Sequence, residues 1–196
     1  IKAKQIWMLT GLCICSMGCY DTLLTWLPSL LGLKGLTATE ASIAASIFPA
    51  GFLLSGPVVG TLSDKVGLRK PFIWVLGLIS AVFIILIAYS TQPILWGAVL
   101  LAGFSLSGIL TLVLVMSTEH PEASGFTGGA VGLISSLGNA GSFLFPIAVG
   151  FLIDFTGSPA PPLTALAVIA GATLILNLAT RETGSSAVKS IPNISR

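Results

Sequence analysis

The sequence predicts an all-α membrane protein with six transmembrane helices, and two features of the chain carry this prediction. The residues are 54% hydrophobic and 8% charged, with a mean hydropathy of +1.00, which is more apolar surface than a soluble domain of 196 residues could bury. Apolar runs long enough to cross about 30 Å of hydrocarbon, which takes roughly 20 helical residues, occur six times. These runs lack the alternation of barrel strands, so their backbone groups must be paired within helices. The predicted spans are 6–31, 41–62, 71–90, 94–116, 128–153 and 161–179.

The basic residues predict how the chain is oriented. All but one of the nine lysines and arginines fall on one side of these spans, and the exception is Lys34. The others are Lys2, Lys4, Lys65, Arg69, Lys70, Arg181, Lys189 and Arg196. Because basic loops stay in the cytoplasm, we expect both termini to be cytoplasmic and the protein to span a plasma (inner) membrane several times. We expect residues 1–183 to form the bundle and the polar residues 184–196 to form a disordered cytoplasmic tail.

An internal repeat relates the two halves of the chain. Residues 51–67 align with residues 141–157, and seven of the seventeen positions are identical. Both copies end a span with the pattern G-x-L-x-D-x-x-G, but three spans separate them, so the copies point in opposite directions across the membrane. The alignment predicts two inverted three-helix repeats. Chance similarity in a chain rich in Gly and Leu is the alternative.

The end of the second span carries a motif that can be named. Residues 60–70, GTLSDKVGLRK, resemble the signature G-x-x-x-D-R-x-G-R-R of the major facilitator superfamily, which joins the second and third helices of a six-helix half. The matching residues are Gly60, Asp64, Lys65, Gly67, Arg69 and Lys70. Leu68 stands where the family has its first Arg after the Gly, as in the weaker copy in the second half of such transporters. The resemblance therefore implies the C-terminal half of a twelve-helix fold, with an N-terminal six-helix half as its partner.

The same resemblance implies a function. It implies secondary active transport of a small organic solute by alternating access, coupled to protons, with the first and fourth helices lining the path. Two other classes remain open from the residues alone. One is a membrane receptor or scaffold that transports nothing, and the other is a channel-like six-helix subunit, which the lack of a re-entrant loop after the fifth span disfavours.

The motif also has a physical interpretation without the family. Gly56 and Gly60 are four residues apart, which leaves two bare backbone patches on one helix face for close approach of another helix. Asp64 can accept hydrogen bonds from backbone donors or a helix N-terminus, and Gly67 allows a tight turn. Asp64 then either latches one conformation or merely caps a turn, with the basic residues setting topology.

Asp21 is the charged residue that lies deep inside a span. A carboxylate at the centre of a spanning helix costs about 2.5 to 3.5 kcal/mol on insertion scales, so it must face protein or water. Helical spacing puts Thr25 on the same face, and the sequence shows no partner for the carboxylate. The resemblance makes Asp21 a proton-coupling or cation-binding group, whereas a buried hydrogen-bonded carboxyl without transport function is the alternative.

Three further polar residues are weaker candidates for the path. Ser107 and Thr111 lie four apart on the fourth span and could face Asp21, but such residues also bond their own helix backbone. Asn139 lies in a polar stripe on the fifth span and either contacts solute or holds helices together.

The sequence contains no motif for catalysis, phosphate binding or metal binding. We therefore predict no enzyme activity, no cofactor and no metal site, and the net charge of +2 gives no reason to expect a nucleic-acid partner. The predicted partners are the lipid bilayer, a small-molecule solute, protons and the other transporter half.

Overall fold

The computed structural model of the chain describes residues 4–119 and 125–184, and these residues form seven helices. They are α1 (Lys4–Leu33), α2 (Ala38–Val66), α3 (Lys70–Tyr89), α4 (Ile94–Glu119), α5 (Thr127–Ser142), α6 (Leu144–Thr156) and α7 (Ala160–Ala179). Six stretches are long and apolar enough to cross a membrane, because α5 and α6 together make up one of them, Thr127–Thr156. The predicted all-α protein with six spans is confirmed. Of the predicted tail, 184–196, all residues but Gly184 lie outside the described residues.

The fifth span is present, but as two helices rather than the single one predicted. The helix is interrupted at Phe143. Pro146 has no N–H to donate to the carbonyl of Ser142, and its ring crowds that carbonyl. Phe143 keeps helical dihedral angles and its N–H still reaches the carbonyl oxygen of Asn139 at 3.3 Å. The interruption is therefore a local break inside a span, not a loop.

Helix α2 is longer at both ends than the predicted span 41–62. It begins with a capping box, in which the Thr37 side chain accepts from the Glu40 N–H and the Glu40 carboxylate accepts from the Thr37 N–H. It ends at Gly67, whose φ of 71° is the left-handed conformation that glycine adopts readily. The predicted span ended at residue 62, whereas helix α2 continues through Val66, so the first residues of the motif are helical and only residues 67–69 connect α2 to α3.

Helices α1 and α4 form the interior of the bundle. In α1 and α4 more than half of the most apolar stretch is buried, against 28% in α2 and 17% in the fifth span. Helices α2 and α4 cross most closely at Gly51 and Gly103, where a Cβ atom on Gly103 would lie 2.2 Å from the carbonyl oxygen of Phe48. Close approach was predicted instead at Gly56 and Gly60, where an added Cβ would meet no atom within 4 Å. That face of α2 is open in the described bundle.

The two copies of the repeat end their helices in the same way. Gly157 ends α6 with a φ of 61°, as Gly67 ends α2, and each donates its N–H to the carbonyl four residues earlier at 2.8 Å. Helix α2 packs on α4, and α5, which begins the other copy, packs on α1. Helices α3 and α7 pack on each other. The inverted symmetry of the two triplets stays a prediction.

The two ends of the bundle differ in charge. One end carries Lys65, Arg69, Lys70 and Arg181, and we call it the basic end. At the opposite end Lys34 donates hydrogen bonds of 2.6 Å to two carbonyls at the end of α3, those of Ile87 and Ser90. A cation at a helix C-terminus is favourable there, although burial lowers the pKa of Lys34 below its ordinary value.

Candidate functional site

Asp21 has a hydrogen-bond partner on the broken fifth span. Its carboxylate lies half-buried on α1, and the Ser142 hydroxyl, on the last residue of α5, donates to Asp21 Oδ2 at 2.8 Å. The same hydroxyl lies 3.0 Å from the carbonyl oxygen of Asn139. A hydroxyl has one hydrogen, so Ser142 can donate to only one of these two acceptors at a time.

A pocket of about 410 Å³ opens beside this carboxylate. Its wall comes from one face of α1 and from the residues on both sides of the break in the fifth span. The lining residues are Asp21, Thr25, Asn139, Ser142, Phe143, Pro146 and Ile147. Three of the predicted site residues, Asp21, Thr25 and Asn139, therefore lie in one pocket.

The other two predicted residues lie elsewhere. Ser107 is buried in α4 and its hydroxyl donates to the carbonyl of Gly103 at 2.8 Å, while Thr111 bonds the carbonyl of Ser107 at 3.0 Å. Both hydroxyls thus donate to backbone carbonyls of their own helix, which is the ordinary use of Ser and Thr in a span. No residue of α4 lines the pocket, so in the described chain its walls are α1 and the fifth span rather than the first and fourth spans.

The break in the fifth span is fixed against α1 by two aromatic side chains. The Trp26 indole donates to the carbonyl oxygen of Pro146 at 2.9 Å, and its ring packs where a Cβ on Gly150 would lie 3.0 Å away. The Phe145 ring fills a notch at Gly18, where a Cβ would lie 2.6 Å from the ring. These contacts hold the pocket residues of α6 in place relative to Asp21.

A cluster of charged residues surrounds Arg69 at the basic end. The guanidinium forms an ion pair of 2.6 Å with Asp64 and two hydrogen bonds of 2.7 and 3.3 Å with the Glu119 carboxylate at the end of α4. It also contacts the Ser63 hydroxyl. Only 6% of Arg69 is exposed, and the hydrogen bond with Glu119 raises the pKa of Arg69 above its ordinary value. The network ties α2, the α2–α3 connection and α4 together.

The segment after α7 closes the same cluster from the other side. Glu182 accepts from the N–H groups of Arg69 and Lys70 at 2.7 and 2.9 Å, so it occupies the N-terminus of α3. In return the Lys70 ammonium donates at 2.6 Å to the carbonyl of Thr180, just after α7. A helix N-terminus was one predicted place for Asp64, but Glu182 occupies that of α3.

Two carboxylates and one hydroxyl of these sites were missed from the sequence. Glu119 and Glu182 follow spans that end on the same side as Arg69, so the count of spans, together with the scarcity of charge, could have paired them with it. Ser142 lies on the polar stripe of the fifth span with Asn139, but nothing in its spacing indicates Asp21 as its partner. Lys65 of the motif is exposed, and no ion pair in the described residues includes it.

A bundle of six spans around an intramembrane carboxylate, with an ion network at one end, is typical of a polytopic membrane transporter. Residues 6–194 match the family model of the Major Facilitator Superfamily. The match covers nearly the whole chain, so this chain belongs to the major facilitator superfamily, as the resemblance of residues 60–70 implied.

Relatives named as transporters are similar over most of this chain. A probable nitrate/nitrite antiporter of Thermus thermophilus is 28% identical over 182 residues, which cover 81% of this chain and 40% of the antiporter. A probable galactarate/D-glucarate transporter of Bacillus subtilis is 29% identical over 170 residues, 77% of this chain and 35% of that transporter. An uncharacterized protein of Archaeoglobus fulgidus is 28% identical, and the match covers 65% of its length. The chain thus spans about a third to two thirds of these relatives.

Proposed function

We propose that the chain takes part in secondary active transport of a small organic solute by alternating access, coupled to protons. The observation that carries the proposal is the pocket at Asp21, because an intramembrane carboxylate that faces a cavity is expensive and marks an ion or substrate path. The pocket lies at a break in a spanning helix, where irregular backbone is tolerated if it lines a cavity.

The open faces of the bundle support a second six-helix half as partner. Gly56 and Gly60 on α2 have no atom in contact distance of an added Cβ, and the same is true of Gly128 and Gly132 on α5. Bare backbone at four-residue spacing is where spanning helices approach closely. The N-terminal half of the transporter would cover α2 and the fifth span and would complete the pocket wall opposite Asp21.

The single hydrogen of Ser142 supports proton coupling at Asp21. When Asp21 is ionised, the charge-assisted bond from Ser142 is favoured over the bond to the Asn139 carbonyl. When Asp21 is protonated, its own O–H can donate to Ser142, and the Ser142 hydrogen is free for Asn139. The protonation state of Asp21 thereby sets a hydrogen bond at the break of the fifth span.

The network around Arg69 is the part that biases one conformation. A buried guanidinium with two carboxylate partners resists separation of α2 from α4, because an unpaired buried cation is costly. With the basic end in the cytoplasm, as the distribution of Lys and Arg indicates, this network would stabilise one of the two access states. Asp64→Ala should then shift the accessibility of engineered cysteines between the two vestibules, and an unchanged ratio at normal turnover would contradict the latch.

The names of the relatives do not determine the solute. Two are named for nitrate or sugar-acid anions, and an anion would need a cationic partner. The pocket lining contains no Lys, Arg or His. The pocket itself, rather than these names, indicates the solute class of this chain.

The test is solute uptake into vesicles under an imposed proton gradient, with the chain alone and with its second half. We expect saturable, gradient-driven uptake only with both halves, because the chain alone presents its pocket to lipid. Asp21→Asn should insert normally but lose the dependence on the gradient, whereas Asp154→Asn, an exposed carboxylate at the end of α6, should keep it. Gradient-driven uptake that survives Asp21→Asn would contradict proton coupling at Asp21. Ion current without saturation would favour a channel, and specific binding without uptake would favour a receptor or scaffold.

A further inference from the structure

The pocket at Asp21 has more free hydrogen-bond acceptors than free donors. Its hydroxyl donors are used inside the chain, since Thr25 donates to the backbone carbonyl of Asp21 at 2.8 Å and Ser142 to its carboxylate at 2.8 Å. The Asn139 amide donates to the carbonyl of Ser135 at 2.8 Å. That carbonyl can only accept, so the amide nitrogen must face it and the amide oxygen must face away.

The acceptors of the same residues are left for a ligand. In the described part of the chain no hydrogen bond reaches Asp21 Oδ1 or the side-chain oxygen of Asn139. The hydroxyl oxygens of Thr25 and Ser142 keep lone pairs. The pocket thus offers one ionisable oxygen pair and several neutral acceptors, against the single remaining N–H of Asn139.

An aromatic ring lies on the same wall. Phe143, at the break of the fifth span, lines the pocket and is 71% exposed, so most of its side chain is uncovered in the described chain. Pro146 and Ile147 complete an apolar side. A cation above an aromatic face gains about 0.5 to 2 kcal/mol, depending on how far it is desolvated.

We propose that this pocket binds the ammonium group of an organic cation, with Asp21 as counter-ion, Asn139 and Thr25 as further acceptors and Phe143 against the cation. An ammonium group has donors and no acceptor, which matches the inventory of the pocket. A carboxylate or phosphate would meet acceptors and a like charge, and an alcohol would gain no ion pair. This inference rests on the proposed transport function and names its solute class.

Binding of the cation excludes the proton from the same carboxylate. Protonated Asp21 has lost the charge that attracts ammonium, so a proton and a cation occupy the site in turn, and movement of both by this site is exchange. The titratable side chains near enough to feel the Asp21 charge are Cys13 and Tyr20 of α1, both neutral, and the pocket residues from α5 and α6 include no titratable group. Asp21 is therefore the group whose protonation should weaken binding as pH falls.

The test measures binding to the chain in lipid nanodiscs with three probes that share one aromatic tail: phenethylammonium, 2-phenylethanol and 3-phenylpropanoate. Empty nanodiscs are the control for partition of each probe into lipid. We expect saturable binding of phenethylammonium alone, weaker at lower pH, and at least about tenfold weaker in Asp21→Asn because a charged hydrogen bond is lost. Phe143→Leu should weaken it about two- to fivefold through loss of the cation–π contact.

Two control substitutions lie outside the pocket. Asp154→Asn makes the same chemical change on an exposed carboxylate, and Ser105→Ala removes a hydroxyl that bonds its own helix in α4. Both should leave binding unchanged. Equal or stronger binding of the carboxylate probe, or ammonium binding that survives both Asp21→Asn and Phe143→Leu, would overturn the inference. If ammonium does not bind but a neutral solute accumulates under a proton gradient, the solute class is wrong and the transport function stands. If ammonium binds but the complete protein transports nothing, the solute class stands and the transport function is wrong.

Discussion

Arg69 has two carboxylate partners, Asp64 and Glu119, which differ in burial. This difference leads to a prediction about the stability of the basic end. Glu119→Gln and Asp64→Asn each remove one negative charge from the buried guanidinium with almost no change of shape. The structure predicts that the first substitution is the more costly, although Asp64 belongs to the recognisable motif and Glu119 does not.

The magnitudes follow from burial and hydrogen bonding. The Glu119 side chain is 30% exposed and accepts from two guanidinium nitrogens as well as from the Thr183 hydroxyl at 3.0 Å. Hydrogen bonds to charged groups contribute about 1.5 to 3 kcal/mol, so Glu119→Gln should lower the free energy of unfolding by about 1.5 to 3 kcal/mol. The Asp64 side chain is 65% exposed, and solvent screening reduces such a pair to about 0.2 to 1 kcal/mol.

The assay is reversible unfolding in mixed micelles, followed by far-ultraviolet circular dichroism, for both variants and for Asp154→Asn as an exposed-carboxylate control. Hydrogen exchange at the ends of α2 and α4 shows whether the loss is local. If Asp64→Asn costs as much as Glu119→Gln, or if Asp154→Asn costs as much as either, the assignment of the network energy to Glu119 is wrong.

Four other substitutions test the packing. Gly103→Ala should destabilise the bundle by about 1 to 3 kcal/mol, because the added Cβ meets backbone atoms of α2. Gly56→Ala should be tolerated in the chain alone, because nothing lies within contact distance of its Cβ. Equal thermal midpoints of unfolding for the two variants would contradict this. Lys34→Met should cost about 1 kcal/mol and increase hydrogen exchange at the end of α3, where it removes two donated bonds; unchanged exchange there would show that the bonds do not matter. Trp26→Phe keeps the ring against α6 but removes the bond to Pro146, so we expect a loss of about 0.5 to 1.5 kcal/mol in unfolding, and no loss would contradict that role.

The spans could be predicted because hydropathy acts on each segment separately. The contents of the pocket could be predicted only in part. Thr25 follows Asp21 by one helical turn, which any helix would place on the same face. Ser142 is 121 residues away from Asp21, so its contact depends on how α5 packs on α1. No pattern within one helix contains that information.

The close helix crossing shows a second limit of sequence reasoning. Gly56 and Gly60 have the spacing typical of close approach, yet the α2–α4 crossing uses Gly51 and Gly103, one glycine from each helix. Spacing on one helix indicates a bare surface but not the helix that fills it. The bare surface at Gly56 remains open in this bundle, and the proposed second half would need such a face.

The repeat separates the structural part of the motif from its functional part. Gly67 and Gly157 end their helices with the same left-handed conformation and the same hydrogen bond, although the aspartates three residues earlier have different surroundings. In the described part of the chain no ion pair or hydrogen bond reaches Asp154, whereas Asp64 pairs with Arg69. The turn therefore forms without a bound carboxylate, and capping does not explain Asp64. What distinguishes the basic end is the arginine two residues after its glycine, because the segment after Gly157 begins with Ser158 and Pro159 and offers no cation. This difference favours the latch over the cap as the role of Asp64, which stays a prediction.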